Sequence, residues 1–222
     1  IAPAAPHALH MPSHTFTRVG AWQDSIETNI ASAAAARKDN AASEELHALD
    51  YQVYAYLQTA QDAAAKNSLD EIQAIGSRID QNAAGNAAPP PAGYYALAAI
   101  PARYALERNA WNEAASLTPR DTAFAYADAI TYFARALGAA RSGNPAAATG
   151  DVEKLGALRT ALQKANDAYW TGQLDIQMRI ASAWIALAEG RQAQALTMLR
   201  EAADAEDLTD KSAISPGPPW PC

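Results

Sequence analysis

Apolar residues recur along this chain at helical spacing in ten alanine-rich stretches, and short turns separate them. One pattern marks five of the junctions: a small or turn-forming residue, four further positions, then another small residue. It reads Gly20-Ala21-Trp22-Gln23-Asp24-Ser25, Ala60-Gln61-Asp62-Ala63-Ala64-Ala65 and Asn109-Ala110-Trp111-Asn112-Glu113-Ala114. Gly143-Asn144-Pro145-Ala146-Ala147-Ala148 and Gly190-Arg191-Gln192-Ala193-Gln194-Ala195 complete the set. A Gly or Asn at the first position takes the left-handed backbone that ends one helix. The second small residue lets the next helix pack close to the first.

The pattern predicts five helical hairpins in an all-α, right-handed solenoid without a sheet. First helices are expected over 7–19, 44–59, 93–108, 121–142 and 169–189. Second helices are expected over 22–38, 62–82, 111–117, 145–167 and 191–205. Thr118-Pro119 cuts the 111–117 helix short, since the residue before proline avoids the α region. Asp121-Thr122 offers a cap for the next helix. The segment 83–93 carries Pro89-Pro90-Pro91 and reads as a stiff loop between repeats. One repeat domain over 1–208 is expected, with an irregular proline-rich tail over 209–222. That tail is either free or docked through Trp220 on the face of the 191–205 helix.

Composition agrees: alanine is abundant and β-branched residues are few. The 24 acidic and 17 basic side chains give a net charge of −7, mixed along the chain without a basic run. Nucleic acid and anionic membranes are therefore poor partners. No apolar run reaches the length of a membrane-spanning helix. Cys222 alone cannot make an internal disulfide or a multi-cysteine metal site. Ile1 is not an initiator methionine, so a processed form or a fragment is expected. The compartment, cytoplasmic or periplasmic, stays open, as does homo-oligomerisation.

The Gly-x-Trp-x-x-small turn resembles that of tetratricopeptide repeats. More narrowly, His10-Met11-Pro12-Ser13-His14 leading into Arg18-Val19-Gly20-Ala21-Trp22 is similar to a group of bacterial tetratricopeptide-like proteins with a His-Met-Pro-[Ser/Ala]-His segment. Glu45-Leu46-His47-Ala48-Leu49-Asp50-Tyr51 and Ser215-Pro216-Gly217-Pro218 look like further landmarks of that group. The resemblance implies a helical-repeat fold and a site near the histidines. It implies no reaction.

Three of the four histidines, His7, His10 and His14, share one helix face at i, i+3, i+7. Aligning the first two hairpins on their turns makes His7 equivalent to His47, His10 to Asp50 and His14 to Tyr54. In the third hairpin the equivalents are Ala96, Ala99 and Arg103. In repeat folds first helices line the concave surface. His7, His10, His14, His47, Asp50, Tyr54 and Arg103 are thus the candidate ligand-binding residues. The four histidines are candidate ligands for zinc or copper. Asp50 is the nearest carboxylate to them, and Tyr54 is placed to hydrogen-bond His14. Met11 is a soft donor that points off the histidine face. Pro12 weighs the other way: a helix that starts there leaves His7 and His10 in a loop. The abundant tyrosines and tryptophans read mostly as packing between repeats.

Two functions follow as expectations. One is a scaffold that holds a peptide, a partner protein or a small ligand in a His/Tyr-lined groove. The other is a zinc- or copper-dependent hydrolase or oxidoreductase built on the same groove. Gly138-Ala139-Ala140-Arg141-Ser142-Gly143 lacks the Lys-Ser/Thr of a phosphate loop, and no HExxH, GxSxG or CxxC occurs.

Overall fold

The computed structural model describes residues 4–80 and 87–219. Among these, every regular element is a helix and no strand occurs. The helices are α1 (Pro6–His10), α2 (Ser13–Val19), α3 (Trp22–Lys38), α4 (Ala42–Gln58), α5 (Asp62–Gly76) and α6 (Pro90–Glu107). They continue as α7 (Trp111–Ala115), α8 (Ala125–Arg141), α9 (Pro145–Lys164), α10 (Ala168–Ala188) and α11 (Gln192–Asp207).

The turns explain the regularity. Gly20, Asn40, Ala60, Asn109, Gly143, Asn166 and Gly190 all have positive φ, between 52° and 87°. At each, the next N–H reaches back five residues to a carbonyl of the ending helix, as in Ala21 to Phe16 (2.9 Å) and Arg191 to Ala186 (2.8 Å). This is the Schellman closure, which satisfies orphan carbonyls at a helix end. Five residues beyond the five turns read from sequence, Ser25, Ala65, Ala114, Ala148 and Ala195 are all buried. Asn40 and Asn166 are two further turns of the same backbone type.

Helix limits differ from expectation where proline or local hydrogen bonds intervene. Pro12 interrupts the first helix, yet Met11 and Pro12 keep right-handed helical dihedrals, so the path continues into α2. Pro90 and Pro91 form the first turn of α6 instead of the connector, since first-turn N–H groups need no helical partner. The Ser43 hydroxyl on α4 donates to the Pro89 carbonyl (2.7 Å) and accepts from Gly93 N–H (3.1 Å), closing that helix start. The Asp128 carboxylate takes the Thr122 N–H and hydroxyl, so α8 begins only at Ala125. Helix α5 ends at Gly76, short of the expected 82: residues 77–80 are turn and coil, and 81–82 lie outside the described residues.

The chain divides into two compact units, Ile1–Tyr104 with Lys211–Pro218 and Ala105–Asp210 with Pro219–Cys222. The division falls inside α6, not in the proline-rich loop. In the first unit α3 packs on α1, α2 and α4, and α4 packs on α5. Its core joins Leu46, Leu49 and Val53 of α4 to Ile72 and Ile75 of α5 and Leu97, Ile100 and Tyr104 of α6. In the second unit α8 packs on α7, α9 and α10, and α10 on α9 and α11. There Gly138 lets α8 touch the α7 backbone: a Cβ at 138 would lie 2.5 Å from the Trp111 carbonyl oxygen. Arg141 stacks between Trp111 and Trp184, 3.9 and 4.1 Å from the ring centres.

Candidate metal centre

Helices α1, α2, α3 and α4 of the first unit bring the histidines together. His10 ends α1 and is buried, His14 opens α2 and is half-buried, and His47 sits buried on α4. One nitrogen from each lies within 4.8 Å of the others. His7 stands at the edge, its ring centre 5.7 Å from that of His10 and 6.3 Å from that of His47. Three of the four predicted metal ligands thus form a compact nitrogen cluster, with His7 beside it.

The hydrogen bonds fix where protons sit. Asn29 of α3 donates its amide N–H to the Ser25 carbonyl (2.7 Å), which turns its oxygen to His10. His10 Nδ1 donates to that oxygen at 2.7 Å, so His10 Nε2 carries a lone pair. His10 Nε2 faces His14 Nε2 at 3.0 Å, and His14 Nδ1 lies 3.2 Å from the Tyr51 hydroxyl. His47 Nδ1 is buried and has no hydrogen-bond partner. For His10 and His14, an orienting partner on Nδ1 and an Nε2 facing the cluster are what imidazole ligands of a metal require.

Electrostatics keeps these rings neutral. Burial lowers the pKa of His10 to about 3, against the stabilising Asn29 bond. Burial and then Lys211 lower that of His14 to about 4. Burial drives His47 well below its ordinary value. All three are therefore unprotonated at neutral pH, the state a metal needs.

A second polar group lies beside the first. Arg103 of α6, fully buried, donates from Nε to Asp50 Oδ1 (3.0 Å), from Nη1 to the Pro218 carbonyl (2.9 Å) and from Nη2 to the Gly217 carbonyl (2.7 Å). Nη2 also reaches Ser215 Oγ (3.1 Å), which accepts from the Tyr95 hydroxyl as well (2.9 Å). Burial pushes the Asp50 carboxyl up, and Arg103 and Lys211 pull it back. Tyr51 contacts the Ser215 carbonyl (2.9 Å), and Lys211 Nζ donates to the Tyr51 hydroxyl (3.1 Å) and the Ser215 carbonyl (2.5 Å). Burial and the nearby Arg18 lower the Lys211 pKa to about 8.

Several expectations are corrected here. Tyr51, not Tyr54, bonds His14. Tyr54 instead lies under the Arg103 guanidinium, 5.1 Å from its ring centre, and edge-on to Trp22. Asp50 serves Arg103 and not the histidines. The tail is held over 211–218 by Tyr51, Tyr95 and Arg103, and the expected docking of Trp220 on the 191–205 helix falls outside the described residues. His10, His47, Asp50 and Arg103 are buried and do not line an open groove. The sequence marks Tyr51 and Ser215 only as landmarks of the resemblance, with no role, and it gives no site role to Asn29, Tyr95 or Lys211. One signal existed: Ser25, Asn29 and Ser32 form a polar stripe on α3 at helical spacing, and all three are buried against α1 and α2. Nothing in sequence pointed to Lys211.

No family model, no curated protein and no solved structure matches this chain.

Proposed function

We propose that this chain binds a first-row divalent metal ion, zinc being the natural probe, through His10, His14 and His47. The fold we propose for it is a right-handed solenoid of tetratricopeptide-like hairpins, supported by the seven repeated turns. The observation that carries the metal reading is the pair of facing Nε2 atoms whose Nδ1 partners are already set by Asn29 and Tyr51. Three neutral nitrogens without a thiolate suit zinc, nickel or copper(II) better than a soft-metal site. Met11 is 46% exposed and stays outside the donor set. Three protein ligands leave a fourth position for water or substrate, as in hydrolytic zinc sites.

Lys211 opposes a second cation, and the magnitudes decide. A unit charge and a divalent ion 4 Å apart repel by about 8 kcal/mol at an effective dielectric near 20. Lys211 Nζ contacts the Tyr51 hydroxyl, which contacts His14 on Nδ1, the ring nitrogen opposite the one proposed to hold the ion. Structural zinc sites are worth about 10–16 kcal/mol, so the imidazole bonds win.

Calorimetric titration of zinc into the metal-stripped full chain tests this. One equivalent should bind, binding should fail in His14→Ala and His47→Gln variants that keep their helical spectrum, and His7→Ala should retain it. Absence of stoichiometric binding, or binding indifferent to His14 and His47, refutes the proposal.

A further inference from the structure

The hydrogen bonds around His14 form a directional chain. Lys211 Nζ donates to the Tyr51 oxygen, the Tyr51 hydroxyl reaches His14 Nδ1, His14 Nε2 faces His10 Nε2, and His10 Nδ1 donates to Asn29. Asn29 closes the chain on the Ser25 carbonyl. His10 has no proton on Nε2, because its single ring proton goes to Asn29. The 3.0 Å contact between the two Nε2 atoms is a hydrogen bond only if His14 carries its proton there. His14 Nδ1 is then bare and takes the Tyr51 hydroxyl proton. In the metal-free protein every link is satisfied in this one sense.

Tyr51 has a second acceptor within reach. Its oxygen is 2.9 Å from the Ser215 carbonyl, on the 211–218 segment. That segment has no helix of its own, and Tyr51, Tyr95, Arg103 and Lys211 hold it in place.

We infer that metal occupancy is coupled to docking of the 211–218 segment through a change of the His14 tautomer, with Tyr51 as the connecting group. The inference rests on the metal-binding reading above. A metal on His14 Nε2 excludes the proton there, and the neutral ring carries its one proton on Nδ1 instead. Nδ1–H then donates to the Tyr51 oxygen. The Tyr51 hydroxyl hydrogen rotates from His14 to the Ser215 carbonyl. The number of protons is unchanged: one moves across the imidazole through solvent, and one turns about the phenolic C–O bond. The phenolic oxygen accepts from His14 and from Lys211, which its two lone pairs allow. The result is one more hydrogen bond to the segment in the loaded protein than in the empty one. Loading therefore tightens the segment, and by reciprocity a docked segment raises metal affinity.

Nitrogen-15 NMR of the histidine rings in the full chain, with and without one equivalent of zinc, reads the switch. His14 should be the Nε2–H tautomer without metal and Nδ1–H with it. A metal-free protein already holding His14 as Nδ1–H overturns the inference. Hydrogen exchange over 209–219 gives the second readout. Zinc should slow it by about fivefold, the effect of one net hydrogen bond. Tyr51→Phe, which removes the His14 Nδ1 partner, should bind zinc more weakly, and at saturating zinc it should lose that slowing; equal slowing in the saturated variant also overturns the inference. A wild-type chain that binds no zinc fails the metal reading itself. Zinc binding without a tautomer change or slowing fails only the coupling.

Discussion

At the residue scale, backbone geometry and burial set single side chains. Gly138 has no room for a Cβ, because backbone atoms of Trp111, Ala114 and Ala115 lie within 3 Å of where it would be. Gly138→Ala should cost on the order of 3 kcal/mol in chemical denaturation, since backbone cannot give as a side-chain tip can. Ala60 shows the reverse: it holds φ 55° with a Cβ attached. Ala60→Gly should stabilise by roughly 0.5–1 kcal/mol, and a loss there would contradict the left-handed assignment. The histidines add a pH dependence. Unfolded histidines titrate near about 6.5, while His14 and His10 titrate at about 4 and about 3 in the fold. Below the unfolded value the denatured chain takes up protons that the fold refuses, so stability falls as pH drops from about 6.5 toward about 4. Denaturation midpoints followed over that window should decline, less steeply in His47→Gln. Identical slopes in the two proteins would mean that His47 is not held neutral by the fold. Much of this scale was illegible in sequence. The hairpin offset made Arg103 equivalent to Tyr54, one turn beyond the level of Asp50, and Arg103 both lies over Tyr54 and pairs with Asp50. It missed the swap of Tyr51 for Tyr54, because one turn of α4 decides which phenol meets His14.

At the element scale, helix existence and order were readable because alanine-rich periodicity and left-handed turns point the same way. Helix ends were harder, since they depend on side chains from other elements. Ser43 on α4 closes the start of α6, and Asp128 withholds Thr122 from α8. Most turns here have no side-chain cap on the following helix. Asn144 and Asp167 are exceptions, accepting from Ala147 N–H and Trp170 N–H. Asn144→Ala should therefore cost about 1 kcal/mol, whereas Ala110→Gly, at an uncapped start, should change stability by only a few tenths. Equal losses at both sites in thermal unfolding would refute this distinction. Pro12 illustrates the limit of reading proline as a breaker. It removes one N–H, but its dihedrals stay helical, and the next turn of helix still delivers His14 to His10.

At the scale of the whole molecule, the chain returns 211–218 to the first unit, where the segment satisfies the buried Arg103. Sequence spacing could not show this, since more than 100 residues separate Arg103 from its partners Ser215, Gly217 and Pro218. Ending the chain at Asp210 strands a buried guanidinium with Asp50 as its remaining anchor. Such a truncation should cost on the order of 3 kcal/mol, and in an Arg103→Met background the same truncation should cost much less. Equal costs in both backgrounds would show that the segment does not stabilise the fold through Arg103. The central claim is that three imidazoles of this unit converge on one ion. X-ray absorption at the zinc edge of the full chain loaded with one equivalent tests it most directly. The account predicts a first shell with three imidazole nitrogens at about 2.0–2.1 Å and the outer-shell pattern of histidine rings. A shell of oxygens alone, or one with fewer than two imidazoles, would contradict it.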